Sequence, residues 1–345
     1  MTTVVVTGAA SALGRAVCEL AAADPEVDEV VAVDRRAVAP THPKVRSRVA
    51  DLATGSLAEL FESGTEVLHL AQSTRLVPRP DDLPDADLVG RVLEGVEQAG
   101  VEHVVLMSSA AAYGAWANNP VPLTEDAPLR PNPGVVHAAE KAEVERLARE
   151  WRDARPGRTA TLVRPAPVVA DDHPGWLARA LSRGPVPVSD VDPPAQFLHL
   201  DDLASAVDLA RRAHLDGPRN VAPDGWIPGE TVRALAGGPR LRLPERAALK
   251  VARARWRWHL APTPPELLPY TVHPWVVAND RIKAEGWQPR RSNEEAFVAA
   301  HRAGPLSSIS PRRRQELALG ASAAGVVALG AGLVGLVRQR TRRPG

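Results

Sequence analysis

Apolar and polar positions alternate along the first half of the chain in two distinct rhythms. Short β-branched runs at residues 4–6, 30–33, 67–70, 104–107 and 161–163 read as strands, and their lack of polar alternation indicates burial on both faces, as in a parallel sheet. Residues 14–23, 57–62, 85–99 and 138–150 lie between them and read as helices. In the last of these, Val144, Leu147 and Ala148 form an apolar stripe, with Glu143, Glu145, Arg146 and Arg149 as its solvated remainder. A repeated βαβαβ order predicts an α/β fold, a doubly wound parallel sheet of Rossmann type over residues 1–170. Residues 171–304 are less regular and rich in proline, and are expected to form a smaller C-terminal substrate lobe together with returning elements of the same domain. A basic linker (305–316), an uncharged apolar stretch (317–337) and a basic tail (338–345) follow.

Length and charge narrow the function classes. A chain of 345 residues can bury a large core, and 42 Lys+Arg against 41 Asp+Glu leave a net charge of +1, so no overall field favours a polyanion. Arginine-rich patches are short and accompany no reading motif, which argues against a nucleic-acid partner. The ten histidines are scattered and Cys18 is alone, so no metal site is expected; Cys18 itself reads as a buried small hydrophobe. No signal-peptide pattern precedes the first strand, and the main domain is expected in the cytoplasm.

The strand at 4–6 runs into Thr7-Gly8-Ala9-Ala10-Ser11-Ala12-Leu13-Gly14 and then a helix. Gly8 permits a tight turn, Gly14 permits close helix-to-strand packing, and the helix N-terminus suits a pyrophosphate. Asp34 ends the second strand about twenty residues later, where a carboxylate accepts bonds from a ribose 2′-OH and repels a 2′-phosphate. NAD is therefore expected over NADP, although Arg35 and Arg36 follow at once and are able to neutralise a 2′-phosphate.

Across roughly residues 2–303 the chain resembles the extended short-chain dehydrogenase/reductase family of NAD-dependent epimerase/dehydratase type. The resemblance rests on the glycine turn, with Ser11 in place of the middle glycine, and on Asp51-Leu52, His69-Leu70-Ala71, Ser108-Ser109-Ala110-Ala111-Ala112-Tyr113-Gly114, His199-Leu200-Asp201-Asp202-Leu203-Ala204 and Glu285-Gly286-Trp287-Gln288-Pro289, all in the family's order. It implies cofactor contacts from Gly8, Ser11, Ala12, Leu13, Gly14, Asp34, Arg35, Asp51, Leu52, Leu70, Ala71 and Lys141. It also implies a catalytic Ser109, a small-molecule substrate such as a nucleotide-sugar, and pairing of subunits into a homo-oligomer.

The family's acid/base tyrosine, four residues before its lysine, is replaced here. Val136-His137-Ala138-Ala139-Glu140-Lys141 keeps the lysine and carries His137 where the phenol belongs. The two tyrosines, Tyr113 and Tyr270, have Ala117 and Pro274 four residues on, so no shift restores the pair. In one reading His137 handles the proton, because imidazole titrates near neutrality, with Ser109 and Lys141 completing the catalytic set. In the other, the hydride machinery is idle and the domain is an NAD(H)-binding sensor or scaffold at a membrane, with His137 a hydrogen-bonded pocket residue. Ala110-Ala111 stand where dehydratases of the family carry Asp-Glu, which disfavours sugar dehydration. Tyr113 reads either as a substrate-edge residue or as packing.

Residues 253–259 interleave arginines with Trp256 and Trp258, a stripe suited to a nucleotide diphosphate, to an anionic membrane surface or, as is expected first, to an amphipathic helix with buried tryptophans. Residues 317–337 are long enough, at 1.5 Å per residue, to cross a hydrocarbon core of roughly 30 Å, and are predicted to be a transmembrane helix. Ala321, Gly325, Ala328, Gly332 and Gly335 line one face of it, a seam suited to another helix. Fractionation tests the anchor: the full chain should stay with membranes through an alkaline carbonate wash, and a version ending at Pro311 should be released. Full-length protein found wholly in the soluble fraction contradicts it.

Overall fold

A computed structural model describes residues 2–55, 57–61, 65–72, 83–171, 173–175, 177–179, 193–236, 243–261 and 263–300. The β-branched runs form β1 (Thr3–Thr7), β2 (Glu29–Asp34), β4 (Thr65–His69), β5 (His103–Met107) and β6 (Thr159–Pro165). Two strands not anticipated from the pattern complete the sheet, β3 (Val45–Val49) and β10 (Gly217–Val221). All seven run parallel in the order β10-β6-β5-β4-β1-β2-β3. The order reverses between β1 and β4, which opens a crevice at their carboxyl ends, the place where such sheets take ligands.

Both missed strands are sheet edges. In β3 only Val45 is buried and two of its five residues are arginines, while β10 carries Pro218, which an edge strand tolerates. Neither has the apolar run that marks a central strand.

Alternate residues of the central strands supply two separate cores, since successive side chains point to opposite faces. Val4 and Val6 pack with Val17, Ala21 and Ala22 of α1 (Ala12–Ala23) and with Leu203, Ala206 and Val207 of α4 (Leu200–Arg212). Val5 and Val67 pack on the other face, with Val89, Val92 and Val96 of α2 (Asp85–Gln98) and Val144 and Ala148 of α3 (Val136–Asp153). Where a helix was expected at 57–62 there is a single 3-10 turn, Ala58–Leu60.

Beyond β6, strands β7 (Val168–Ala170), β8 (His173–Pro174) and β9 (Leu198–His199) make a small sheet in the order β8-β7-β9. Helices α5 (Gly229–Ala236), α6 (Glu245–Arg257), α7 (Asp280–Ala284) and α8 (Asn293–Ala300) follow. Phe297 of α8 stacks edge-on against Phe197 beside Val169 and Ile227, forming a satellite core. The predicted linker, membrane span and tail lie outside the described residues; among those described, no helix is long and apolar enough to cross a membrane.

Two of the motif segments meet in space. Asp202, fully buried in the first turn of α4, accepts the backbone N–H groups of Arg290 (2.9 Å) and Arg291 (3.1 Å), and Ser205 accepts from the Trp287 indole at 3.0 Å. The carboxylate thereby ties the C-terminal return of the chain to the sheet-covering helix. Asp202→Asn presents an amide N–H to one of these donors and should lower stability by about 1–3 kcal/mol, seen as an earlier urea midpoint with unchanged slope. An unchanged midpoint contradicts the tie.

Candidate functional site

The turn after β1 shows why glycine is required at two of its positions. Gly8 has φ +72°, and a Cβ on it would stand 2.7 Å from the Ala71 backbone nitrogen; a Cβ on Gly14 would run into the Gly8 carbonyl oxygen. Ser11, at the middle-glycine position, caps α1: its Oγ accepts the Gly14 N–H at 2.9 Å. The side chain is thus folded back on the helix, and the first-turn N–H groups of Ala12 and Leu13, which have no intrahelical acceptor, remain the anion-facing donors. Asp34 accepts from Ala10 N–H (3.1 Å) and Arg36 N–H (3.3 Å), which holds the acid against the turn, with the Arg35 and Arg36 side chains exposed beside it. Asp51 accepts from Ala53 N–H at 3.0 Å, next to buried Leu52, while Leu70 is buried and Ala71 half-buried where β4 ends beside Gly8. A cradle that a Cβ would fill, an acid at the end of the second strand and a free helix N-terminus together fit a dinucleotide.

A charged cluster lies where β4, α2 and α3 converge. Lys141 Nζ lies 2.9 Å from Asp85 Oδ2, with only 2% and 4% of the two side chains exposed. The catalytic lysine expected from sequence is therefore held by a carboxylate that sequence reasoning missed, because an acid in the first turn of a helix reads as an ordinary dipole partner. His137, in the first turn of α3, is half-buried, and its pKa is pushed down to about 3, chiefly by desolvation and then by the Lys141 cation, with Asp85 opposing. His69 is pushed down to about 4 by the same causes; its Nδ1 shares a 2.8 Å hydrogen bond with Thr7 Oγ1. Both imidazoles thus respond to one ion pair.

Ser109 ends the extended segment after β5 and caps the 3-10 turn Ala110–Tyr113, accepting from Ala111 N–H at 3.2 Å; that turn packs on α3. Tyr113 does not line a substrate edge. It is fully buried, donates to Asn220 Oδ1 at 2.8 Å and accepts from Arg164, so it takes the packing role. Tyr270 is also buried and donates to the Ala111 carbonyl at 2.7 Å, which leaves neither phenol for proton transfer at the cluster.

Glu145, expected on the solvated side of α3, is 1% exposed: it pairs with Arg164 of β6 at 2.6 Å and accepts from Ser108 Oγ at 2.6 Å. Carboxylate, guanidinium, Tyr113 and Asn220 form one buried network that fixes the floor beneath Ser109. Of the residues expected at the site, Gly8, Ser11, Gly14 and Asp34 come together around the turn, and His137 and Lys141 come together at the cluster.

Residues 4–222 match the model of the NAD dependent epimerase/dehydratase family. Uncharacterised proteins of Mycobacterium tuberculosis and Mycobacterium bovis are 26% identical over 322 residues, covering 89% of this chain and 85% of theirs. Among solved structures, the Thermus thermophilus UDP-glucose 4-epimerase complex with NAD aligns with a TM-score of 0.63 at 21% identity, over 86% of this chain and 97% of that one. MoeE5 in complex with UDP-glucuronic acid and NAD gives 0.61 at 23%, over 86% and 97%. The dTDP-glucose 4,6-dehydratase DesIV of Streptomyces venezuelae gives 0.61 at 19%, over 86% and 95%.

The depressed histidines make stability depend on acid. His69 and His103 at about 4 and His137 at about 3 stay neutral in the fold, while the unfolded chain protonates them below about pH 6.5. Unfolding then takes up protons, so the stability present above pH 6.5 is lost as pH falls from there toward 4, by about 2 kcal/mol per fully buried ring between pH 6.5 and 5. The urea midpoint should fall between pH 7.5 and 5.0, and His103→Gln should flatten that dependence. A midpoint constant across this range contradicts neutral burial.

Proposed function

The chain belongs to the NAD-dependent epimerase/dehydratase family, and on that premise we propose that it is an NAD-dependent, epimerase-like oxidoreductase acting at a hydroxyl or carbonyl carbon of a nucleotide-sugar. The observation that carries this reading is the intact Gly8/Gly14 turn held against Asp34, with His69, whose Nδ1 shares a hydrogen bond with Thr7 at the end of β1, lying within the electrostatic reach of Lys141 and Asp85. When bound, the nicotinamide supplies the hydride acceptor. Ala12 and Leu13 N–H groups would face the pyrophosphate, Asp34 the adenosine ribose, Asp51 and Leu52 the adenine, and Leu70, Ala71 and Lys141 the nicotinamide half. Ser109 would orient the reacting oxygen and His137, a neutral ring, would accept its proton. The choice of NAD over NADP rests on Asp34, whose carboxylate repels a 2′-phosphate. The solved structures named above hold NAD, and MoeE5 also holds UDP-glucuronic acid, which supports the cofactor and the nucleotide-sugar class.

One observation favours the second reading, an idle NAD(H)-binding protein: a ring pushed down to about 3 is far from the neutral range in which proton exchange is most efficient. Calorimetric titration should show NAD bound at least tenfold more tightly than NADP, and His137→Ala should abolish turnover of UDP-sugars while leaving NAD affinity within about threefold. Turnover surviving in His137→Ala removes the proton role. An inactive wild type together with activity gained by His137→Tyr, which restores the four-residue spacing to Lys141, establishes the idle reading.

A further inference from the structure

Helix α6 departs from its expected amphipathic form. Its inner face is small: Ala248 and Ala252 are buried, and Ala248 packs with Leu268 and Val272. Trp256 is half-buried, but Trp258, which ends the helix, is 72% exposed, and Leu260, two residues on, is 68% exposed, with Val251 also exposed. His259 turns the chain in the left-handed region (φ +55°), and Leu260 N–H closes on the Arg255 carbonyl at 2.8 Å. The two apolar side chains therefore stand at a fixed, hydrogen-bonded helix end and not on a wandering loop.

Charge accompanies them. Arg246, Lys250, Arg253 and Arg257 recur at steps of four, three and four, which places them on one exposed face of α6, with Arg255 exposed beside Trp258; Glu245 is the only acid of the helix. The whole chain carries a net charge of only +1, so this concentration of cations is local. An indole and a leucine outside the core, flanked by guanidinium groups on flexible stems, combine the two attractions that a headgroup region offers: apolar insertion and an anionic surface.

We propose that the exposed face of α6 and its Trp258–Leu260 end dock on the interface of an anionic lipid bilayer. A second copy of the chain is a poor occupant, because a two-fold contact would bring the cation stripes together. Nucleic acid accounts for the arginines but gives Val251 and Leu260 no role. The inference is independent of the chemistry at the cofactor site.

The test is hydrogen exchange on the full chain with phosphatidylcholine vesicles, with or without phosphatidylglycerol. Exchange at residues 253–260 should slow severalfold with the anionic vesicles and stay unchanged with phosphatidylcholine alone, even where another segment holds the protein on both. Trp258→Ser with Leu260→Ser should abolish the local protection, and Arg253→Gln with Arg257→Gln should weaken it severalfold on anionic vesicles, with NAD binding unchanged in both. No protection with anionic vesicles, equal protection with neutral ones, or protection produced instead by duplex DNA or by raising the protein concentration overturns the proposal.

Discussion

Two opposite charges with almost no access to water, the Lys141 ammonium and the Asp85 carboxylate, set the conditions for everything around them. Removing either ion from water costs several kcal/mol, and the partner, at 2.9 Å, offsets that cost. Because Asp85 sits in the first turn of α2 and Lys141 in the second turn of α3, the pair fixes the two helices on one face of the sheet. The helix N-terminus adds its own partial positive charge to the stabilisation of Asp85. His69, buried, and His137, half-buried, are kept neutral by desolvation and then by this fixed cation.

Four residues beyond Lys141, on the same face of α3, the structure repeats the device with the signs reversed along the helix. Glu145 is buried against Arg164, and Ser108, Tyr113 and Asn220 satisfy what remains. The inner face of α3 is thus Ala138, Lys141, Val144, Glu145, Ala148 and Trp151, and the two charged members set it apart from the interior of an ordinary surface helix. Replacing both members of such a pair by apolar residues is often tolerated; removing one leaves a buried charge with no counterion. The network also explains how the tyrosines are used: each phenol is committed to a buried hydrogen bond, one under the serine segment and one against its backbone.

Legibility from sequence divides along the same line. The central strands, the glycine turn and the helix starts were readable because each is dictated locally, by β-branched runs, by positions where a Cβ has no room, and by helix periodicity. The edges β3 and β10 were not, since an edge strand needs no apolar face. Glu145 was expected in solvent, and the pairing of Asp85 was not anticipated, for a different reason. A charged residue on a helix is ordinarily solvated, and only the opposite charge brought from a distant segment, Lys141 for one and Arg164 for the other, makes burial affordable. Asp202 was visible as a motif residue, but its work, holding two backbone N–H groups nearly ninety positions away, belongs to the tertiary fold.

Proton accounting at the cluster follows from these placements. In the proposed reaction, a hydroxyl oxidised beside Ser109 would give up a proton to a neutral acceptor. Lys141 is already committed as a cation to Asp85, Tyr113 and Tyr270 are spent elsewhere, and Ser109 itself is a weak base. Among the described groups at the cluster, His69, His137 and the Glu140 carboxylate remain, and a proton placed on His137 sits next to the Lys141 charge, which together with desolvation holds its pKa near 3. Asp85 acts in the opposite direction on both groups, stabilising the ammonium and any imidazolium together. The carboxylate is therefore the group that opposes the Lys141 charge at this site: it favours a proton on either ring, while desolvation and the cation, the larger causes, keep both rings neutral.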